Sequence, residues 1–438
     1  MPDKDILIIA VINPPQPANF HPCQYSTHPR VAPNTPFFKT LREYNLTLHK
    51  VIYQNHYMNL LERYQVLKKD FKSSSEHFAF GEGVDCTMCS FKSDFDFAPS
   101  HNCASLTEKE QTILSEDGRG ENYNFSYPVF SSIGKSKKND KAIIMLHGLN
   151  ERSWDKYLTW AYQLVKLTGS SVILFPIAFH INRSPQKWSN PREMNQLSGL
   201  RRKNSGVENS TFVNVALSLR MQYTPEMFPI SGIQTYFDLV KLVWLIKAGR
   251  HELFQTNSQT NIFAYSIGAL LAEILLIANP ASLFSGERAF LFCGGATIDK
   301  MNGNSRSIMD KLAAKHLSSY LQRDCQVNNL ITLPYYLSPL LPKAWESFRL
   351  MSSSEGNTAN REKAIGKITE QIKTIGMSFD SVIPAEAIAN TLKGNYRIIS
   401  PNYPGSHEVP FPYNESPYAE EVEQIFNTIF YEAADFLA

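Results

Sequence analysis

The chain has 438 residues, 43% of them hydrophobic, which is enough for one large core and an appendage. Its 43 basic and 41 acidic residues leave a formal charge of +2, so nothing points to nucleic acid or an anionic membrane surface as a partner. No apolar run reaches the length needed to span a bilayer, which excludes a transmembrane helix.

Residues 1–121 read as an N-terminal appendage of helices and loops. Ile6 to Ile12 is an apolar run, but Asp3, Lys4 and Asp5 precede it and Pro14-Pro15 end it. That is short for a signal-peptide core and fits an edge strand. Phe37 to Lys69 has helical periodicity and carries Tyr44, Tyr53, Tyr57 and Tyr64. Ser73–Ser75, the glycines around Gly81–Gly83, and Glu116–Glu121 read as loops. Cys86-Thr87-Met88-Cys89, with His101 and Cys103 nearby, offers two thiolates on a turn. A structural zinc site needs four well-placed ligands, and a single pair is a weak signal. The expectation is therefore reduced thiols in a loop of a cytoplasmic protein, with no metal and no cofactor.

From residue 122 onward strands and helices alternate. Tyr123 to Phe130 is expected to open the sheet as an antiparallel strand paired with what precedes it. Lys141–Leu146 is a buried strand that ends in His147-Gly148-Leu149-Asn150, and a helix follows over Trp154–Leu167. Ser170–Pro176 is a strand, Gln234–Lys247 an amphipathic helix, Asn261–Tyr265 a strand, Ala269–Ala278 a helix and Ala289–Gly295 a strand. Gln371–Gly376, a helix over Ala385–Leu392, Asn395–Ile399 and a closing helix over Tyr418–Leu437 complete the series. This spacing predicts an α/β fold with a mostly parallel sheet covered on both faces.

The most telling segment is Ala264-Tyr265-Ser266-Ile267-Gly268, where an apolar strand passes at once into a helix. That is the layout of a nucleophile elbow, a sharp turn that holds a serine hydroxyl at the top of a sheet. Ala264 and Gly268 are small enough for the strand and helix to approach closely. Taken alone, Ser266 would be an ordinary helix cap, but its surroundings supply partners. The loop His147-Gly148 after a central strand is where one oxyanion donor is expected, from the N–H of Leu149, with the second from Ile267. Downstream, Asp380 follows a strand and stands before Pro384, and His407 lies in the loop Asn402–Glu408. His407 would take the proton of Ser266, and Asp380 would accept the other ring N–H. Asp299, after the preceding strand, is the alternative acid.

With these residues, Asn122–Ala438 resembles the α/β-hydrolase superfamily, in a bacterial branch of unknown substrate. The resemblance implies a sheet of about eight strands and a Ser-His-Asp triad working through an acyl-enzyme. Ala264 departs from the usual first glycine. The stretch from His147 to Ser266 is longer than in compact members. Two insertions, at about residues 179–232 and 297–363, are expected as cap or wall elements. In the first, Arg183, Trp188 and Arg192 are candidate substrate-binding residues beside the basic group Arg201-Arg202-Lys203. The expected function is an esterase- or lipase-like serine hydrolase acting on a small-molecule acyl substrate. The alternatives are an acyltransferase using the same residues and a non-catalytic binding or assembly protein.

Overall fold

The computed structural model describes residues 58–71, 75–80, 83–98, 106–115, 119–133, 138–323 and 328–438. The apolar run at 6–12, most of the tyrosine-bearing helical pattern, His101 and Cys103 lie outside these residues. Eleven strands are described: β1 His77–Phe80, β2 Val84–Lys92, β3 Asp96–Phe97, β4 Asn124–Ser132, β5 Asn139–Leu146, β6 Ser171–Phe175, β7 Phe254–Tyr265, β8 Ala289–Phe292, β9 Ile331–Thr332, β10 Ile372–Met377 and β11 Tyr396–Ile399.

Nine of them form one sheet in the order β1-β2-β4-β6-β5-β7-β8-β10-β11. From β6 to β11 every neighbouring pair is parallel, whereas β1, β2 and β4 join by antiparallel pairing. The central strands are continuous apolar runs because both faces are covered. On one face the helices Leu60–Asp70, Asp155–Thr168 and Ala419–Leu437 bury Trp160, Phe263 and Phe430 against the sheet. On the other, the helices Met227–Lys247, Ile267–Ala278 and Leu341–Ser352 pack on Ile144, Ile262 and Leu291.

This is the mostly parallel, helix-flanked sheet that the sequence implies, with two corrections. Among the described residues the sheet has nine strands rather than about eight. The extra material comes from residues 77–92, expected as helix and loop, which pair along β4 from Lys92↔Asn124 to Val84↔Ser132. The sheet therefore crosses the expected boundary at residue 122. Cys86 and Cys89 stand on β2 and not on a turn. Because their separation is odd, strand alternation sends the two thiols to opposite faces. Cys86 packs in the core under Leu60–Asp70, and Cys89 in the core of the opposite face. Two thiols divided by a sheet cannot share one metal ion.

The first insertion carries the helices Pro191–Ser205 and Val215–Tyr223. The second carries the helix Lys311–Leu321 and the short strand β9, which pairs with β3 outside the main sheet.

Candidate active site

At the end of β7, Ser266 has φ 58° and ψ −122°, a backbone region that non-glycine residues rarely occupy. The strained turn is held from both sides, by Ser266 N–H to the Phe292 carbonyl (3.2 Å) and Ala269 N–H to the Ser266 carbonyl (2.9 Å). Gly268 is required by close approach, since a Cβ there would lie 2.7 Å from the Leu146 carbonyl oxygen. Ala264 sits between Leu146 of β5 and Leu291 of β8 in the register, where a small side chain is accommodated and a glycine is not needed.

Ser266 Oγ lies 2.7 Å from His407 Nε2, and His407 Nδ1 lies 2.7 Å from Asp380 Oδ2. All three side chains are buried. The two carboxylate oxygens of Asp380 serve different partners. Oδ1 accepts the N–H groups of Val382 (2.9 Å) and Ile383 (2.8 Å), forming the turn that leads into the helix Ala385–Leu392, and Oδ2 faces the histidine. Asp299 lines the same cavity as Ser266 but is engaged by a different partner. Burial works against its charge, but hydrogen bonding from Ser354, whose hydroxyl donates to its Oδ2, holds its carboxyl below the usual range. The alternative acid therefore does not face His407.

The His407 loop is fixed by residues that sequence reasoning did not single out. Tyr265, adjacent to the serine, donates its hydroxyl to the His407 carbonyl and stacks on the imidazole at 5.4 Å between centroids. Lys156 Nζ donates to the Glu408 carbonyl at 3.0 Å. Gly405 lets the loop pass over Phe379, whose ring would collide with a Cβ at that position.

His147 is fully buried, and burial pushes its imidazole well below the ordinary range, so it is neutral. Nε2 accepts the Ile177 N–H (2.9 Å), which leaves the proton on Nδ1, donated to the Gly148 carbonyl (2.8 Å). In a trans peptide the N–H points away from the C=O. Holding the Gly148 carbonyl therefore sets the direction of the Leu149 N–H. The Gly148 N–H is already taken by Tyr157 Oη at 3.0 Å. Among the described residues, the N–H groups of Leu149 and Ile267 have no protein acceptor. Both residues line the same cavity as Ser266.

That cavity has a volume of about 170 Å³ and is mostly apolar, with Phe228, Met301, Ile308, Met309, Leu317 and Val382 on its walls. Most of the lining comes from residues 298–322 and 352–353, within the second insertion. A cavity of roughly 150 Å³ lined by aliphatic groups admits a benzene-sized guest, so this one has room for a short acyl group.

None of the candidate substrate-binding residues of the first insertion lines it. Arg183 is fully buried in an ion pair with Asp238 (2.8 Å) and donates to the carbonyls of Asn122 and Pro176 (both 3.0 Å), so it ties the insertion to the sheet. Trp188 is buried in a second, smaller cavity, and Arg192 is an exposed residue of the first turn of the helix Pro191–Ser205.

Among curated proteins no sequence match is found. Several solved structures resemble the chain loosely. One is a cold-adapted esterase from an Arctic intertidal metagenomic library (11% identity, 84% of this chain and 100% of that one, TM-score 0.40). Another is the peroxisomal alpha-beta-hydrolase Lpx1 from Saccharomyces cerevisiae (13%, 79% and 90%, 0.36). A third is carboxyl esterase 2 from the mycorrhizal fungus Tuber melanosporum (11%, 79% and 87%, 0.39). One family profile, that of a family of unknown function (DUF6051), matches residues 58–438, and the chain belongs to that family.

Proposed function

We propose that the protein is a serine hydrolase that cleaves a carboxylic ester with a short or medium acyl group. The observation that carries this reading is the unbroken line Ser266–His407–Asp380, at 2.7 Å per step, opening into an apolar cavity. In the proposed reaction His407 Nε2 removes the proton of Ser266 Oγ as it attacks the acyl carbon. The carbonyl oxygen becomes an oxyanion held by the Leu149 and Ile267 N–H groups. His407 then passes the proton to the leaving alkoxide, and the ester bond breaks to leave an acyl-serine. Water, deprotonated by the same imidazole, reverses the sequence and releases the acid. The Asp380 carboxylate keeps the Nδ1–H in place and stabilises the imidazolium. The residues lining the cavity from 298 to 353 would act as the cap that selects the acyl group. Cys86, Cys89 and Cys293 are buried free thiols, which supports a reducing, cytoplasmic setting as part of the proposal.

Intact-mass analysis after treatment with a fluorophosphonate tests the reading directly. The natural protein is expected to gain one adduct per chain and Ser266→Ala none. A folded natural protein that stays unlabelled, while hydrolysing no p-nitrophenyl acetate, would leave a binding or assembly protein as the better account.

A further inference from the structure

The second cavity, about 20 Å³ in volume, is built around positive charge. Its walls include Asn150, Glu151 and Arg152, which follow Leu149 directly, and His180, Trp188 and Arg220. Arg220 is only 7% exposed. Its guanidinium lies over the rings of Phe179 (4.4 Å) and Trp188 (4.5 Å), both of which are apolar neighbours and not counter-ions. Arg152 Nη2 donates to the Val213 carbonyl at 2.8 Å, but its Nε is buried without a hydrogen-bond partner, as is Trp188 Nε1.

Among the described residues no carboxylate pairs with either arginine. Burial alone pushes Arg220 down to about 9 and Arg152 to about 10. The carboxylate on the wall, Glu151, is already engaged by Lys156 Nζ (2.5 Å) and the Tyr157 hydroxyl (2.9 Å). The excess charge also weighs on His180. Its imidazole is pushed down to about 4, first by burial and then by Arg220, Arg152 and Arg183. His180 Nδ1 contacts the Ala178 carbonyl at 2.9 Å, so the neutral ring adds no counter-charge.

Arg183, three residues after His180, shows how the fold treats a buried arginine whose role is purely structural, for the helix Met227–Lys247 supplies Asp238 as its counter-ion. Arg220 and Arg152 have no such acid, yet unpaired buried charge is strongly disfavoured. We propose that this cavity is a binding site for a carboxylate-sized anion, held between Arg220 and Arg152 with Trp188 Nε1 as a further donor. The volume is that of one or two water molecules, which suits the two oxygens of a carboxylate and excludes a nucleotide or any larger polyanion. Two sources share this chemistry: a free small carboxylate, and an acidic end of the substrate itself.

Thermal unfolding of the full chain at fixed ionic strength, with chloride replaced by formate or acetate, tests the site. For a free anion, Tm is expected to rise by about 2–4 °C at a hundredfold excess over the dissociation constant. Arg220→Met and Arg152→Gln should each lose that rise. Arg220→Met should also be at least as heat-stable as the natural protein in chloride, because it removes an unpaired charge. If Arg220→Met does not fold, Arg152→Gln against the natural protein decides. A second arm rests on the hydrolase reading above and compares a p-nitrophenyl hemisuccinate with the neutral butyrate. A tenfold or larger preference for the hemisuccinate, lost in Arg152→Gln, with no effect of formate on Tm, would assign the anion to the substrate. Unchanged Tm in both formate and acetate, together with no preference between the two esters, overturns the site. Because the first arm needs no turnover, failure of the hydrolase reading would be seen separately.

Discussion

Asp380→Asn is expected to lower kcat for ester hydrolysis by about 10⁴-fold with little change in KM. The reason lies in the two backbone N–H groups that hold Asp380 Oδ1, from Val382 and Ile383. In the variant only the amide oxygen can accept them, so the amide nitrogen must turn toward His407 Nδ1. A nitrogen that donates there forces the ring proton onto Nε2, where it points at Ser266 Oγ and the imidazole can no longer act as base. The fold should be little affected, because both backbone donors keep an acceptor. Asp380→Ala should instead destabilise by about 1–3 kcal/mol, since it strands those donors. Asp299→Asn should leave kcat within about threefold, as its partner is Ser354. Steady-state kinetics with denaturant titration separate these outcomes, and near-normal turnover in Asp380→Asn would rule out Asp380 as the acid.

Glu273→Met should stabilise the protein, and more so as pH rises. Glu273 is the one charged residue in the otherwise apolar helix Ile267–Ala278, fully buried, with neither carboxylate oxygen hydrogen-bonded. Burial raises its pKa well above the ordinary value of 4.5, so the folded protein keeps it protonated where the unfolded chain ionises. Below about pH 4.5 both states hold the proton and the group adds no pH dependence. Above it, the natural protein loses about 1.4 kcal/mol per pH unit until the folded carboxyl ionises. Removing the unbonded polar group contributes a further ~1–3 kcal/mol at any pH. The denaturation midpoint of Glu273→Met should therefore exceed that of the natural protein by more at pH 8 than at pH 5. An equal gain at both would mean that the carboxyl is ionised in the folded state.

The parts legible in the sequence are those written locally. Strands β5, β8 and β10 are short apolar runs closed by turn residues, and the elbow needs only five consecutive residues, Ala264–Gly268. The order of acid and histidine along the chain is sufficient to bring forward Asp380 and His407, the two residues that the fold sets in line with Ser266. What the sequence hides is non-local. Val84–Lys92 alternates weakly and carries a cysteine pair that suggests a turn, and it becomes a strand because β4 offers nine positions of pairing. Arg183 resembles a substrate clamp until Asp238, 55 positions away, is placed beside it. The cavity joins Met301, Leu317 and Val382 from separate elements, and no periodicity in the sequence reports such a meeting.

The two ends of the sheet have a consequence for the protein in solution. Among the described residues, the outermost strand on each side has only four residues, His77–Phe80 and Tyr396–Ile399. On the second of these, Arg397 is also tied to Glu432. A short edge presents few unpaired backbone groups, which is one way native sheets resist growing into their neighbours. Without β1 and β2, the nine-residue β4, half of it apolar, would take the edge position instead. The first two strands lie far in sequence from the chemistry at Ser266, and β1 pairs only with Val84–Thr87 of β2, so among the described residues the edge on that side is stepped, β1 first and Met88–Lys92 of β2 behind it, where a bare β4 would offer nine residues in one row.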